Sequence, residues 1–574
     1  MRRTALLGLL TALALVIPTA TNAGANPSSA HQSARTAGPL PGGYHHLVVV
    51  YAENHSFDNL LAGWGPVGDE TIENAFVPQV DQDGAAFRCL DQNDVNLTSP
   101  PQAGSCTDSA RDIVSAFTNA PFSIDSYIAP NDATCPPPGE YAGKGTAKGD
   151  GEPGGCTRDL IHRFYTEQYQ IHGGKQDRYV TASDAIGLSV GRYDTAQLPL
   201  FAWLHSDGAP HYVIADRFFQ AAFGGSFLNH QFLIAARAPL DTSRGALGAT
   251  PSVVDSNGME RKAPFYEPTG DVADGTLTQA CPNPEQSDEG RACGFFAVNT
   301  VYPEKQPTLT SQPRIPAVDT AAYPTIGERL TGKGVPWAWY AGGWDDAVAG
   351  RPGPLFQYGH QPFLYFSGYG PGQPGREHLK DEQDFLAAVE NGSLPAVSFV
   401  KPYGGESEHP GYSSQRGSGD HIVNLLKQVT AGPQAKDTLV VLTYDEFGGF
   451  ADHVPVPSRD AFGPGTRVPA LFLSAGLDGS GIDHTVYDTT SILSTIEQAW
   501  GLEPLTDRDR SAHPIVLAGI GSSPSAAVVD QAQNGGSSPL VLFSLLALAV
   551  AAALAAALAW NRRRVQSGGR RDDN

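Results

Sequence analysis

The sequence predicts an α/β fold with a mostly parallel central sheet flanked by helices. Two observations predict it. Five short runs, "HLVVVY", "VPWAWYA", "AVSFV", "TLVVLTY" and "VPALFLS", are rich in β-branched and aromatic residues and show little polar alternation, as strands buried on both faces do. Three other segments, "DEQDFLAAVEN", "GDHIVNLLKQVTAG" and "DTTSILSTIEQAWGL", carry apolar residues at helical spacing. Alternation of the two patterns along one chain points to strands paired in parallel through helical crossovers.

The elements follow in order. Residues 1–23 read as an export signal: Arg2 and Arg3 are the charged start, Ala5 to Ile17 the apolar stretch, and Thr21-Asn22-Ala23 the small-residue cleavage site. Residues 24–43 are a linker, and 44–520 contain no Ser/Gly-rich break long enough to divide them, so they form one catalytic-sized domain. Residues 521–538 are a second linker. Residues 539–560 carry no charge and are long enough for a single transmembrane helix across about 30 Å of hydrocarbon. Arg562, Arg563 and Arg564 follow, so 561–574 reads as a cytoplasmic basic tail, with the main body outside the cell.

Composition narrows the partners. Net charge is −22 and only 17% of residues are charged, which argues against nucleic acid, whose phosphates need lysine and arginine. Six cysteines in an exported chain favour disulfides. Pairing neighbours gives 89–106, 135–156 and 281–293, although six cysteines allow about fifteen connectivities. All six lie in long loops, between 62 and 160 and between 241 and 320, which read as insertions beside the core.

Two strands end alike. The first runs into Glu53-Asn54, the other into Asp445-Glu446 and a Gly448-Gly449 turn. Ligands in open α/β sheets sit at the carboxyl ends of strands. If the two strands are neighbours, three carboxylates and an amide converge, and the carboxylates repel unless a cation neutralises them. All-oxygen ligands favour one hard divalent ion, with Mg, Ca, Mn and Zn all open. Each strand end read alone is a solvated turn. A third segment, "FGGSFLNHQFLIAA", places Ser226 after two glycines and before a helical run, either as a helix cap or as a hydroxyl facing an anion at a helix start.

Five segments together, "ENHSFDNLLAGW", "DRFFQAAFGGSFLNHQFLI", "KPYGGESEHPGYSS", "TYDEFGGFADHVPVP" and "DTTSILSTIEQAWGLEPLTDRD", resemble the bacterial phosphoesterase family of acid phosphatases and phospholipases C, within the alkaline phosphatase superfamily. "GGSFLNHQ" looks more like the acid phosphatase branch. The resemblance implies an alkaline-phosphatase-like fold. It makes Glu53, Asn54, Ser226, Asp445 and Glu446 the metal-site residues, with Ser226 also the nucleophile. It places His162, His360 and His409 in the phosphate pocket, with His409 the proton donor to the leaving group. The family often has a histidine pair before Gln-Pro-Phe, and here Gly359 takes the first place. The implied substrate is a phosphate-ester small molecule or a phospholipid, with the membrane reached through the C-terminal helix. His453, in "ADHVPVP", reads as structural, and Phe57 and Asp58 as residues that hold the turn after Glu53-Asn54.

Two rivals stand beside this. "GLSVG" at 187–191 matches G-x-S-x-G, which would make Ser189 an esterase nucleophile if a buried strand precedes it and a helix follows. The other is a non-enzymatic surface ectodomain for adhesion or scaffolding.

Overall fold

The computed structural model describes residues 37–92, 103–239, 253–255, 257, 259, 263–270, 272–273, 296–304 and 314–517. The export signal, the C-terminal linker, the 539–560 span, the basic tail, and Cys281 and Cys293 lie outside the described residues. Among the described residues no helix is long and apolar enough to cross a membrane.

Eight strands form the central sheet: β1 (His46–Ala52), β2 (His211–Ala215), β3 (Trp337–Ala341), β4 (Leu379–Asp381), β5 (Val397–Lys401), β6 (Thr438–Tyr444), β7 (Ala470–Ser474) and β8 (Gly481–Asp483). Their order across the sheet is β4-β3-β5-β1-β6-β7-β2-β8. Only β7 is reversed: it pairs antiparallel with both β6 and β2, and the remaining pairs are parallel. The five strands expected from sequence are all present. β2, β4 and β8 are additional.

Every residue of β3, β5, β6 and β7 is buried, at positions of both alternations, so both faces of the sheet are covered. That is why these strands are apolar throughout. Each fully buried Leu or Val contributes about 1.5–3 kcal/mol relative to exposure, and β1, with Leu47 to Val50 all at 0%, is the centre of that core.

The covering helices start and stop where the sequence says they should. Helices α1 (Phe164–Ile171) and α2 (Ser226–Ala235) belong to the site described below. α3 (Glu382–Asn391) begins at a capping box between Asp381 and Asp384 and ends at Gly392 in the left-handed region, φ 65°. α4 (Gln415–Ala431) is capped by Ser414, whose side chain accepts the Gly417 N–H. α5 (Thr490–Trp500) ends at left-handed Gly501, φ 58°.

The long loops carry short two-stranded pieces and two disulfides, Cys89–Cys106 and Cys135–Cys156, the first two neighbour pairings expected.

Candidate metal centre

β1 and β6 are adjacent and in register, with Ala52 opposite Tyr444. The four-hundred-residue separation of Glu53-Asn54 from Asp445-Glu446 therefore closes to one strand spacing, as the matching strand ends suggested. Backbone hydrogen bonds lace the two ends together: Asp445 N–H donates to Ala52 O at 3.0 Å and His55 N–H to Glu446 O at 3.0 Å. Asn54 sits at φ 63°, a conformation Asn tolerates better than most residues, and its N–H donates to Asp445 Oδ1 at 3.1 Å. The turn beyond needs glycine. Gly448 is at φ +63°, and a Cβ there would stand 2.0 Å from Asn54 O. Its N–H donates to Glu446 Oε2 at 2.6 Å.

Glu53, Asn54, Asp445 and Glu446 are all 0% exposed. Four of their oxygens, Glu53 Oε2, Asn54 Oδ1, Asp445 Oδ2 and Glu446 Oε1, have no hydrogen-bond partner. Buried polar atoms are normally satisfied, because leaving one bare costs about 1–3 kcal/mol, and more for a charge. Four such oxygens at the ends of two adjacent strands fit a hard divalent cation.

The charge balance agrees. Burial disfavours the Glu53 carboxylate, but His360 and Lys401 outweigh it and hold its pKa well below the usual range. Lys401 Nζ is 2.5 Å from Glu53 Oε1 and donates to Tyr51 O at 3.1 Å, and His360 Nε2 meets the same carboxylate oxygen. That compensates one acid of three. Burial, and then the charge of Glu53, pushes Asp445 up to about 7; burial, and then Asp445, raises Glu446 well above its ordinary value.

The orientation of Asn54 follows from its neighbour. His162 Nδ1 lies 2.6 Å from Leu160 O, an acceptor, so Nδ1 carries the hydrogen. Nε2 then accepts from Asn54 Nδ2 at 3.3 Å. This spends the amide nitrogen and leaves Asn54 Oδ1 as the free end. His162 Nε2 also lies 3.6 Å from Glu446 Oε1.

Ser226 reaches the same place from a third direction. It is the first residue of α2, half-buried, and its hydroxyl is near enough to the Asp445 carboxylate to favour its charged form. The helix cap is Gly225, with no side-chain cap bond, so Ser226 is not merely the N-cap. Gly224 is at φ +86°, and a Cβ there would lie 2.6 Å from Phe164 N.

His409 donates from Nδ1 to Pro410 O at 2.6 Å, stacks on Tyr412 at 4.0 Å, and leaves Nε2 3.8 Å from Glu53 Oε2. All eight residues expected from sequence thus lie around one centre. His360 differs in emphasis. It pairs with Glu53 and stacks on His230 at 5.3 Å, and burial lowers its pKa to about 4. One ligand atom each from Glu53, His230 and His360 lies within 4.8 Å of the others, which adds nitrogen donors to an oxygen set. At Gly359 an added Cβ would find its nearest neighbour, Tyr365 Oη, at 4.0 Å, so the missing histidine leaves space beside His360.

Four contributors were not singled out from sequence: Lys401, His230, Glu167 and Gln220. Lys401 ends an apolar strand in "AVSFVKPYGG", and a convergence of three acids calls for such a cation. His230 stands four residues after Ser226, one helical turn away, with Nδ1 2.8 Å from Ser226 O. Glu167 and Gln220 carry no local signal.

Glu167, on α1, is fully buried. Its Oε2 accepts Gly224 N–H and, at 2.9 Å, Gln220 Nε2; its Oε1 accepts Thr466 N–H at 2.7 Å. Gln220 Oε1 in turn accepts Phe447 N–H at 2.9 Å. This network joins the turn before Ser226 to the turn after Glu446. Glu167→Gln puts a donor amide against donor N–H groups, and the expected result is a fall in kcat of about tenfold with KM little changed. A second readout is stability against pH. Burial outweighs the N–H donors and pushes the folded-state pKa up to about 7 from the ordinary 4.5. The folded chain therefore binds a proton that the unfolded chain has lost, so stability is greatest below 4.5 and falls as pH rises through 7. Tm of Glu167→Gln is expected to fall less between pH 4.5 and 7.

The nearby turn is built as expected. Asp58 is buried and accepts from Arg467 Nη2 at 2.9 Å and Arg192 Nη2 at 2.7 Å, while His453 Nδ1 lies at 2.8 Å. Arg467 also covers the Phe57 ring at 4.0 Å. Ser189 is buried in the 3-10 turn Ile186–Val190 and donates to Ile186 O at 2.6 Å. With neither a strand before it nor a helix after it, the nucleophile-elbow reading fails.

The chain is 30% identical over 223 residues to a non-hemolytic phospholipase C of Burkholderia pseudomallei, covering 30% of this chain and 31% of the relative. It is 29% identical over 224 residues to phospholipase C B of Mycobacterium tuberculosis, covering 33% and 41%. Against phospholipase C A of the same organism it is 22% identical over 513 residues, covering 82% and 76%. The first two alignments span well under two thirds of those relatives' length. A solved alkaline phosphatase superfamily protein from Vibrio parahaemolyticus matches at TM-score 0.22 and 10% identity, over 32% of this chain and 49% of that one. That score is too low to bear on the site. The model of the Phosphoesterase family matches residues 44–503, a span holding both strand ends, Ser226 and every histidine of the centre, and the chain is a member of that family.

Proposed function

We propose that this chain hydrolyses phosphoric esters through a covalent phosphoserine at Ser226. One observation carries the proposal: four buried, unpartnered oxygens stand at two adjacent strand ends, and the half-buried Ser226 hydroxyl at a helix start acts on the Asp445 carboxylate among them.

Glu53, Asn54, Asp445 and Glu446 would hold one divalent ion. Bound there, such an ion supplies positive charge to a phosphate oxygen and to the serine. The chain's own residues do the rest. Asp445, whose carboxylate the Ser226 hydroxyl acts on, takes the hydroxyl's proton. Ser226 Oγ bonds to phosphorus, the bond from phosphorus to the leaving oxygen breaks, and protonated His409 gives its Nε2 proton to that oxygen. Water then adds hydroxide to phosphorus as the bond from phosphorus to Ser226 Oγ breaks; the water's other proton goes to His409, and Asp445 returns the first proton to Ser226 Oγ. His162 keeps Asn54 oriented throughout.

The substrate class follows from the surroundings. The serine motif supports an acid-phosphatase-like phosphomonoesterase. A specific observation favours phospholipase C as the second reading. A cavity of about 940 Å³ opens beside His162 and Gly225, with an apolar wall that includes Leu160, Phe227, Leu228 and Val298. The curated relatives also bear phospholipase C names. Two disulfides fit an oxidising compartment, and with the 1–23 and 539–560 segments they support an exported, membrane-tethered enzyme.

One panel tests this: full-length chain in detergent, stripped of metal and reloaded with Mg, Ca, Mn or Zn, on p-nitrophenyl phosphate and on phosphatidylcholine. Faster turnover of the monoester supports the phosphatase and faster release of phosphocholine the phospholipase. No turnover of either substrate with any metal rejects both and leaves the adhesion or scaffold ectodomain.

A further inference from the structure

The carboxyl edge of the sheet holds another group of ligating atoms. β4 lies three strands from β1, across β3 and β5, so it is roughly 14 Å from Glu53 at about 4.8 Å per strand. Glu382 begins α3 directly after β4, Glu406 closes the turn Gly404–Glu406 after β5, and His421 lies inside α4. One ligand atom from each falls within 4.8 Å of the other two.

Their mutual contacts leave one buried carboxylate oxygen unaccounted for. Glu382 is 3% exposed, and its Oε2 is buried without a partner. His421 Nε2 lies 3.0 Å from Glu382 Oε1 as an ion pair, and that contact leaves Glu382 Oε2 bare. His421 Nδ1 is 3.8 Å from Glu406 Oε1, beyond hydrogen-bond reach. Neighbouring acids are committed elsewhere: Asp381 Oδ1 accepts Gln383 N–H at 3.1 Å and Asp384 Oδ2 accepts Asp381 N–H at 3.3 Å. Among the described residues, the charged partner of both Glu382 and Glu406 is His421, and neither pairs with a lysine or arginine.

We propose that Glu382, Glu406 and His421 form a second divalent-cation site, of zinc type, which fixes the turn leading to His409. Two carboxylates and one imidazole suit zinc by ligand type, and three protein ligands leave a position for water. The ion would tie α3 and α4 to the segment after β5. That segment carries Ser407, whose carbonyl accepts Glu53 N–H at 2.9 Å, then Glu408 at φ 71°, then His409. A staple at Glu406 therefore acts directly on the turn that holds Glu408 at positive φ.

The test counts metal, not turnover, so it stands apart from the hydrolase reading. Full-length chain, His421→Ala and Glu382→Gln are dialysed against zinc chloride, then buffer, and zinc per chain is measured by mass spectrometry. Each variant is expected to hold one ion fewer than the parent. The parent's Tm is expected to drop on chelation by several degrees more than that of His421→Ala. Equal zinc content in parent and variants overturns the site and leaves His421 as an ion-paired imidazole. Should either variant fail to fold, Glu406→Gln, at a half-exposed position, gives the same reading: one ion lost supports the site, none lost overturns it.

Discussion

Ser226→Ala is expected to lower kcat for p-nitrophenyl phosphate by at least about 10³-fold, since removing an attacking hydroxyl leaves only binding and charge stabilisation. The structure separates this loss from unfolding. Gly225, not Ser226, caps α2, so no cap is lost. The hydroxyl's interaction with the Asp445 carboxylate is what the change removes, and one polar interaction of this kind contributes about 1 kcal/mol. Alanine is also the best helix former at that position. Circular dichroism and bound metal should match the parent while turnover collapses. Near-normal turnover in a folded, metal-loaded Ser226→Ala protein would sink the phosphoserine mechanism.

Lys401→Met is expected to be the most destabilising single change at this site. Lys401 and Glu53 are both 0% exposed, and the ammonium lies 2.5 Å from the carboxylate. Removing one partner of a buried pair leaves the other charge uncompensated, at about 3–5 kcal/mol. Denaturant unfolding of metal-free protein measures it. The control is Lys401→Met with Glu53→Gln, which deletes the stranded charge and should recover most of the loss. A single-variant cost below about 1 kcal/mol would show that Lys401 is not what keeps Glu53 ionised.

The sheet was legible where strands are long and central. The runs at β1, β5 and β6 are apolar because both faces are covered, and that pattern needs no partner to be recognised. β4 and β8, of three residues each, are too short to show any period, and "HYVIA" at β2 is one brief apolar run among many. The centre was half legible for a related reason. Glu53-Asn54 and Asp445-Glu446 are anomalies on their own strands, since a polar pair interrupts an apolar run. Glu167 is an ordinary helical glutamate until the fold brings Gly224 and Thr466 to it. Lys401 lies between these cases: it ends a strand conspicuously, but its purpose depends on β5 lying beside β1.

The reversal of β7 constrains traffic at the centre. Because β7 runs against β6, residues 445–469 leave the sheet at its carboxyl edge and re-enter it at that same edge. The segment is a bridge with both abutments in the core, further moored where Gly448 passes against Asn54 and Arg467 grips Asp58. It has no loose end to swing aside for an incoming molecule. The cavity opens instead beside His162 and Gly225, between Tyr141, Met259, Ala263 and Val298, and that flank borders the start of α2.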